Sequence, residues 1–176
     1  MPFQQYLDQA VAESTTLIAR SITQAVRSMA QASVTVTDQV ERNRLANTAE
    51  ALQKAAQATT DAFPAALRQE LEAASSTTAS PAKALSFDSL ELMAEDQLDD
   101  TVELLRGEQA VKAAVEADLV ALNALVSAAQ GHERVTTIAN PLRPEVWVRA
   151  FHRALEKAKA PAAARASWML HVGRAL

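Results

Sequence analysis

The stretch FQQYLDQAVAESTTLIARSITQAVRSM, residues 3–29, carries the periodicity that decides the fold. Its apolar side chains recur mostly at steps of three or four residues, as one face of an amphipathic α-helix requires. They are Phe3, Tyr6, Leu7, Ala10, Val11, Leu17, Ile18, Ile22, Ala25, Val26 and Met29. The stretch therefore predicts one long helix.

The composition extends this prediction to the whole chain. Of the 176 residues, 39 are Ala, 4% are aromatic and three are Gly. A core of Leu and Val with Ala at the close approaches favours tightly packed helices. Three glycines leave few of the positive-φ turns that small sheets need. We therefore expect an all-α protein, a bundle of about five to six helices.

The next segments predict where the first helices begin and end. The segment ASVTVTDQ, residues 32–39, is rich in β-branched and cap-forming residues and interrupts the first helix. Thr37 or Asp38 can cap a second helix that runs to about Ala62. Pro64 then predicts either a kink or a third short helix that ends near Ala74.

Helical periodicity returns at about Glu95 and predicts one long helix or two collinear ones, with Gly107 as the weak point. Gly131 is expected to end this part. Two further helices are predicted, one from Glu145 to about Lys157 and a last one that starts at Pro161. A polar loop, residues 131–145, separates them from the long helix.

A boundary between two helical parts is predicted at SSTTASPAKA, residues 75–84, which contains no large apolar side chain. The expected organisation is an amino-terminal helical hairpin (1–74), a linker (75–84) and a carboxyl-terminal helical part (85–176). Directly after the linker, LSFDSLELM lacks the β-branched residues of a strand. Phe87 and Leu90 are expected to dock this segment on the helical body.

Several motifs after the linker resemble the amino-terminal part of the bacterial domain-of-unknown-function family numbered 1631. In that family an acidic segment like L-V-D-E-D-E-L-E-E, a helix end like LN-x-R-L and a segment NPLGP…aF occur in this order. The matching positions are Leu122, Asn123, Asn140, Pro141, Leu142, Pro144, Ala150 and Phe151. Arg143 stands where the family usually has Gly. The resemblance implies a helical domain, and it carries no established chemistry.

An acidic stretch surrounds the start of the long helix, with seven carboxylates between Lys83 and Arg106. Asp96, Asp99 and Asp100 are candidate partner-binding residues. The simpler interpretation is a solvated helix start, where the helix dipole favours negative charge. A metal site is not expected, because the stretch lacks the loop pattern that wraps calcium.

A basic stripe lies in the predicted helix 145–157, where Arg149, Arg153 and Lys157 recur every four residues. Trp147 lies on the same helix, and these four residues are further candidates for partner binding. One interpretation is a surface for RNA, nucleotides or an acidic partner. The other is an intramolecular complement to the acidic residues 88–103.

The functional expectation is a non-catalytic helical module for protein–protein interaction or regulation, with a protein partner or self-association. The alternative is a regulator that binds nucleic acid or a nucleotide through the basic carboxyl-terminal face. No enzyme activity, cofactor or metal is expected, because the chain has no Cys and its three histidines have no triad partner at a suitable spacing. The amino terminus resembles no signal peptide and no 18 apolar residues are consecutive, so we expect a cytoplasmic protein without a membrane span.

Overall fold

A computed structural model describes residues 3–76, 95–137 and 140–175, without the side chains of 76, 95–101, 103, 162, 163 and 166. Within these ranges the chain forms five helices and no strand, so the all-α prediction is confirmed. The helices are α1 (Gln4–Thr35), α2 (Gln39–Ser76), α3 (Glu95–Ala129), α4 (Pro144–Lys157) and α5 (Ala162–Gly173).

Helices α1 and α2 form a hairpin whose turn is fixed by Asp38. The Asp38 carboxylate accepts hydrogen bonds from the backbone N–H groups of Val40 (2.7 Å) and Glu41 (3.4 Å), which confirms the predicted helix cap. Arg42 donates to the backbone oxygen of Val36 at 3.1 Å and closes the turn. Such a short connection makes the two helices antiparallel neighbours.

Of the two alternatives predicted at Pro64, the third short helix is wrong, because α2 continues through this residue to Ser76. A proline inside a helix removes a backbone hydrogen bond and costs about 3 kcal/mol. The residues around it, Phe63, Ala66 and Leu67, are fully buried. Burial of large apolar side chains contributes about 1.5–3 kcal/mol each, which offsets the cost of the proline.

Gly107 lies within the continuous helix α3 and marks a close approach between helices. A Cβ atom at this position would lie 3.0 Å from Met169 Cε and 3.1 Å from Val148 Cγ1. The glycine expected to be a weak point therefore lets α4 and α5 pack closely on α3. Gly131 ends the helical segment as predicted, with a φ of 79°.

One buried cluster contains side chains from all five helices. Its largest fully buried members include Trp168, Phe63 and Phe151. The Trp168 indole N–H donates to the backbone oxygen of Thr48 at 3.0 Å and so fixes α5 on α2. The linker and the docking of Phe87 and Leu90 remain predictions, because residues 77–94 lie outside the described ranges.

Candidate functional site

The predicted basic stripe meets a carboxylate that the sequence analysis did not single out. Glu70 of α2 has a side chain that is 5% exposed, between Arg149 and Arg153 of α4. Arg149 Nε donates to Glu70 Oε2 at 3.0 Å. Arg153 Nε lies 2.5 Å from Oε1, in an ion pair without hydrogen-bond geometry. Two of the three basic residues in the stripe therefore connect α4 to α2.

The other predicted candidates do not converge on one described site. Lys157 is exposed at the end of α4. Asp96, Asp99 and Asp100 lie in the first turns of α3, but their side chains are outside the described residues. Whether the acidic stretch contacts the basic stripe stays a prediction.

Trp147 is half-buried and lies on a different surface, an apolar groove between α1, α3 and α4. The groove has a volume of about 200 Å³. Its lining consists of Leu17, Val111, Val115, Asp118, Leu119, Leu122, Leu142, Pro144 and Trp147. We call this surface the α3 groove.

One wall of the α3 groove is the row Val115, Leu119 and Leu122, at the spacing i, i+4, i+7 along one side of a helix. All three side chains are half-buried, whereas Val111 below them is buried. On a bundle helix such a row normally packs against another helix. The described part of the chain leaves it open to solvent.

The opposite wall combines Leu17 of α1 with Trp147 of α4. The Trp147 ring packs against Phe63 with ring centroids 6.1 Å apart and planes tilted by 36°. Leu17 and Trp147 also line a second hollow along α1, together with Glu13, Thr16 and Arg20. The accessible surface therefore continues beyond the α3 groove along α1.

A pair of asparagines fixes the loop that forms the end of the groove. The side-chain amide of Asn140 donates to Asn123 Oδ1 of α3 at 2.8 Å, and its own oxygen accepts from the Leu142 N–H at 2.8 Å. Asn140 is fully buried. Leu142 and Pro144, which line the groove, are positioned by these hydrogen bonds.

Charged groups at the groove differ in their contacts. Asp118 is exposed at the rim, and within the described part of the chain it has no ion pair.

Near Pro144, Lys112 Nζ lies 2.5 Å from Glu145 Oε1. Burial is the largest single influence on Glu145 and acts to raise its pKa. The hydrogen bond from Lys112, a backbone hydrogen bond and the charges of Lys112 and Arg143 together outweigh burial and hold that pKa below its ordinary value. Burial, and next the Glu145 carboxylate, raise the pKa of Glu108.

No group of three or more His, Asp or Glu side chains is arranged to hold a metal ion in the part of the chain that the structure describes. Within the same ranges, every helix is too short or too polar to cross a membrane.

The fold and the groove define a helical-bundle domain with an open apolar surface. Over residues 2–176 the chain matches the family described as protein of unknown function (DUF1631), N-terminal domain, and it belongs to this family. The resemblance found in its motifs is confirmed. No curated protein and no solved structure gives a significant match to the chain.

Proposed function

We propose that this domain is a non-catalytic protein-interaction module whose α3 groove binds one amphipathic α-helix of a partner protein. The observation that carries the proposal is the open row Val115, Leu119 and Leu122 opposite Leu17 and Trp147. A helix that presents apolar residues at i, i+3 or i+4, and i+7 fits a groove of this kind.

The energetics suit a complex of moderate affinity. Full burial of one large apolar side chain contributes about 1.5–3 kcal/mol, and the groove offers several that are half-buried. Association costs at least about 4 kcal/mol in lost freedom of motion. A dissociation constant near 1 μM, equivalent to about 8 kcal/mol, is therefore within reach of three or four anchors.

The charge at the rim specifies the partner further. Asp118 stands beside the apolar row without an ion pair in the described part of the chain. A Lys or Arg next to the apolar stripe of the bound helix would pair with it. Such a rim contact contributes little affinity and mainly sets orientation and specificity.

A selection from a display library of helical peptides tests this proposal. We expect the enriched peptides to share an apolar stripe and a neighbouring basic residue. Their binding should be lost with Leu119→Arg and kept with Val120→Arg, a matched control because Val120 is the next residue on α3 and is 75% exposed. Peptides that bind both variants equally well would contradict the proposal.

A salt titration of the selected peptides separates apolar from charge-driven binding. An apolar groove predicts affinities that change little between 50 and 500 mM salt, apart from a small contribution from the Asp118 pair. A steep loss of affinity with salt would instead favour the alternative, a surface that recognises phosphates.

A further inference from the structure

A second cavity, separate from the α3 groove, lies between α2, α3 and α4. It is an open cleft of about 590 Å³, a size typical of small-molecule sites. Its lining comprises Glu70, Ala73, Ala74, Leu104, Arg143, Arg149, His152, Arg153 and Glu156. One side is therefore apolar and the other carries three guanidinium groups.

Two arginines of this cleft, Arg149 and Arg153, are held in place by the carboxylate of Glu70. Glu70 contacts both Arg149 and Arg153 at Nε. A guanidinium has five N–H donors, so these contacts leave further donors on each group. The two side chains are 37% and 44% exposed, which keeps these groups accessible from the cleft. Fixing them in advance lowers the entropic cost of binding a ligand.

The charge balance favours an anion. The carboxylate of Glu156 has two neighbours: its Oε1 lies 3.9 Å from Arg165 Nη1, and its Oε2 lies 3.9 Å from His152 Nδ1. Among the described side chains that line the cleft, three guanidinium groups (Arg143, Arg149 and Arg153) stand against two carboxylates (Glu70 and Glu156), which leaves a net charge of +1. Glu108 of α3 also interacts with Arg143 and Arg149, and it reduces this charge when ionised.

We propose that this cleft binds a small organic phosphate, with Arg149 and Arg153 as donors to the phosphate oxygens and Ala73, Ala74 and Leu104 as the contact for its apolar part. A phosphate monoester carries a charge close to −2 at neutral pH. The planar fork of arginine matches phosphate oxygens in pairs, which gives such contacts both strength and direction.

Phenyl phosphate, titrated into the full chain, is the probe that tests this site. The readout is the nitrogen NMR signal of the arginine Nε–H groups. We expect saturable shifts at Arg149 and Arg153, and binding at least tenfold weaker in Arg153→Gln. Arg27→Gln, which removes an exposed arginine of α1, should bind the probe like the unchanged protein.

Glu70→Gln gives the second test, because it removes a competing negative charge while its amide oxygen can still accept from the arginines. We expect it to bind phenyl phosphate several-fold more tightly. If Glu70→Gln does not fold, the proposal is decided by the phenyl phosphate titrations of the unchanged protein and of Arg153→Gln. Benzoate and sulfate serve as comparison anions. The proposal is overturned if benzoate binds as tightly as phenyl phosphate, if the shifts do not saturate, or if Arg27→Gln weakens binding equally.

Discussion

The side-chain amide of Asn140 donates a hydrogen bond to Oδ1 of Asn123, 2.8 Å away, and joins the loop before α4 to the end of α3. The Asn140 oxygen also accepts from the backbone N–H of Leu142. One buried amide thus ties together two of the motifs by which the chain resembles its family. It also sets the position of the loop that ends the α3 groove.

Replacing Asn140 with Ala should destabilise the protein by about 1–3 kcal/mol, because the Leu142 N–H and the Asn123 carbonyl lose their partner inside the protein. Urea denaturation followed by circular dichroism measures the change. Asn47→Ala is the matched control, since Asn47 is exposed on α2 and should shift the midpoint only slightly. Equal midpoints for Asn140→Ala and the unchanged protein would show that the side-chain hydrogen bonds of Asn140 contribute no stability.

At Gly107, substitution with Val should destabilise the fold by about 1–3 kcal/mol, because the added atoms meet Val148 and Met169 where even a Cβ would lie about 3 Å away. Ala113→Val places the same side chain on an exposed part of α3. It should cost less than about 1 kcal/mol, the difference in helix propensity. If both variants melt at the same temperature, α3 does not approach α4 and α5 as closely as described.

The substitution Glu70→Ala, which removes the carboxylate, should destabilise the fold by about 1–3 kcal/mol. This cost is lower than for a fully buried ion pair, because the two arginines that contact Glu70 are partly exposed. The exposed ion pair between Glu50 and Lys54 provides the comparison. Glu50→Ala should change the free energy of unfolding by less than about 0.5 kcal/mol. Thermal melts that rank the two variants in the opposite order would contradict a structural role for Glu70.

Acid should weaken the fold through His171 of α5. Burial, together with the nearby charges of Arg174 and Arg44, lowers the pKa of this histidine below its ordinary value. The unfolded chain therefore takes up the proton at a higher pH than the folded chain. The stabilising contribution is complete above about pH 6.5 and is lost as the pH falls through the lower pKa of the folded state.

The melting temperature measured from pH 8 to pH 5.5 should thus fall more in the unchanged protein than in His171→Gln. If the melting temperature of His171→Gln falls as steeply with pH as that of the unchanged protein, His171 is not a source of the pH dependence.

The helices could be predicted from the sequence where apolar periodicity and caps act locally. Asp38 and Gly131 each act through backbone groups within a few residues, so their roles were visible in the sequence. The continuation of α2 through Pro64 was not, because it depends on burial of Phe63, Ala66 and Leu67 against other helices. The continuous helix through Gly107 was one of the two predicted alternatives, but its role at the helix contact could not be predicted, because its neighbours Val148 and Met169 are distant in sequence.

The candidate sites were predicted less completely than the fold. The spacing of Arg149 and Arg153 showed a common face, but their partner Glu70 lies 79 and 83 residues earlier in a chain with 21 acidic residues. The α3 groove was missed because Val115, Leu119 and Leu122 have the spacing of ordinary core residues. Only the packed helices show that no residue of the described ranges covers this row.

The measurement that tests the helix-binding groove most directly is photocrosslinking from position 119, in the cells that produce the protein, with position 120 as control. A photoreactive phenylalanine at position 119 should crosslink to one segment of another protein. Mass spectrometry should identify that segment as an amphipathic helix with a basic residue beside its apolar stripe, and Asp118→Lys should reduce the yield. Crosslinks that form equally from positions 119 and 120, or that map only to this chain or to a second, isotope-labelled copy of it, would contradict the proposal.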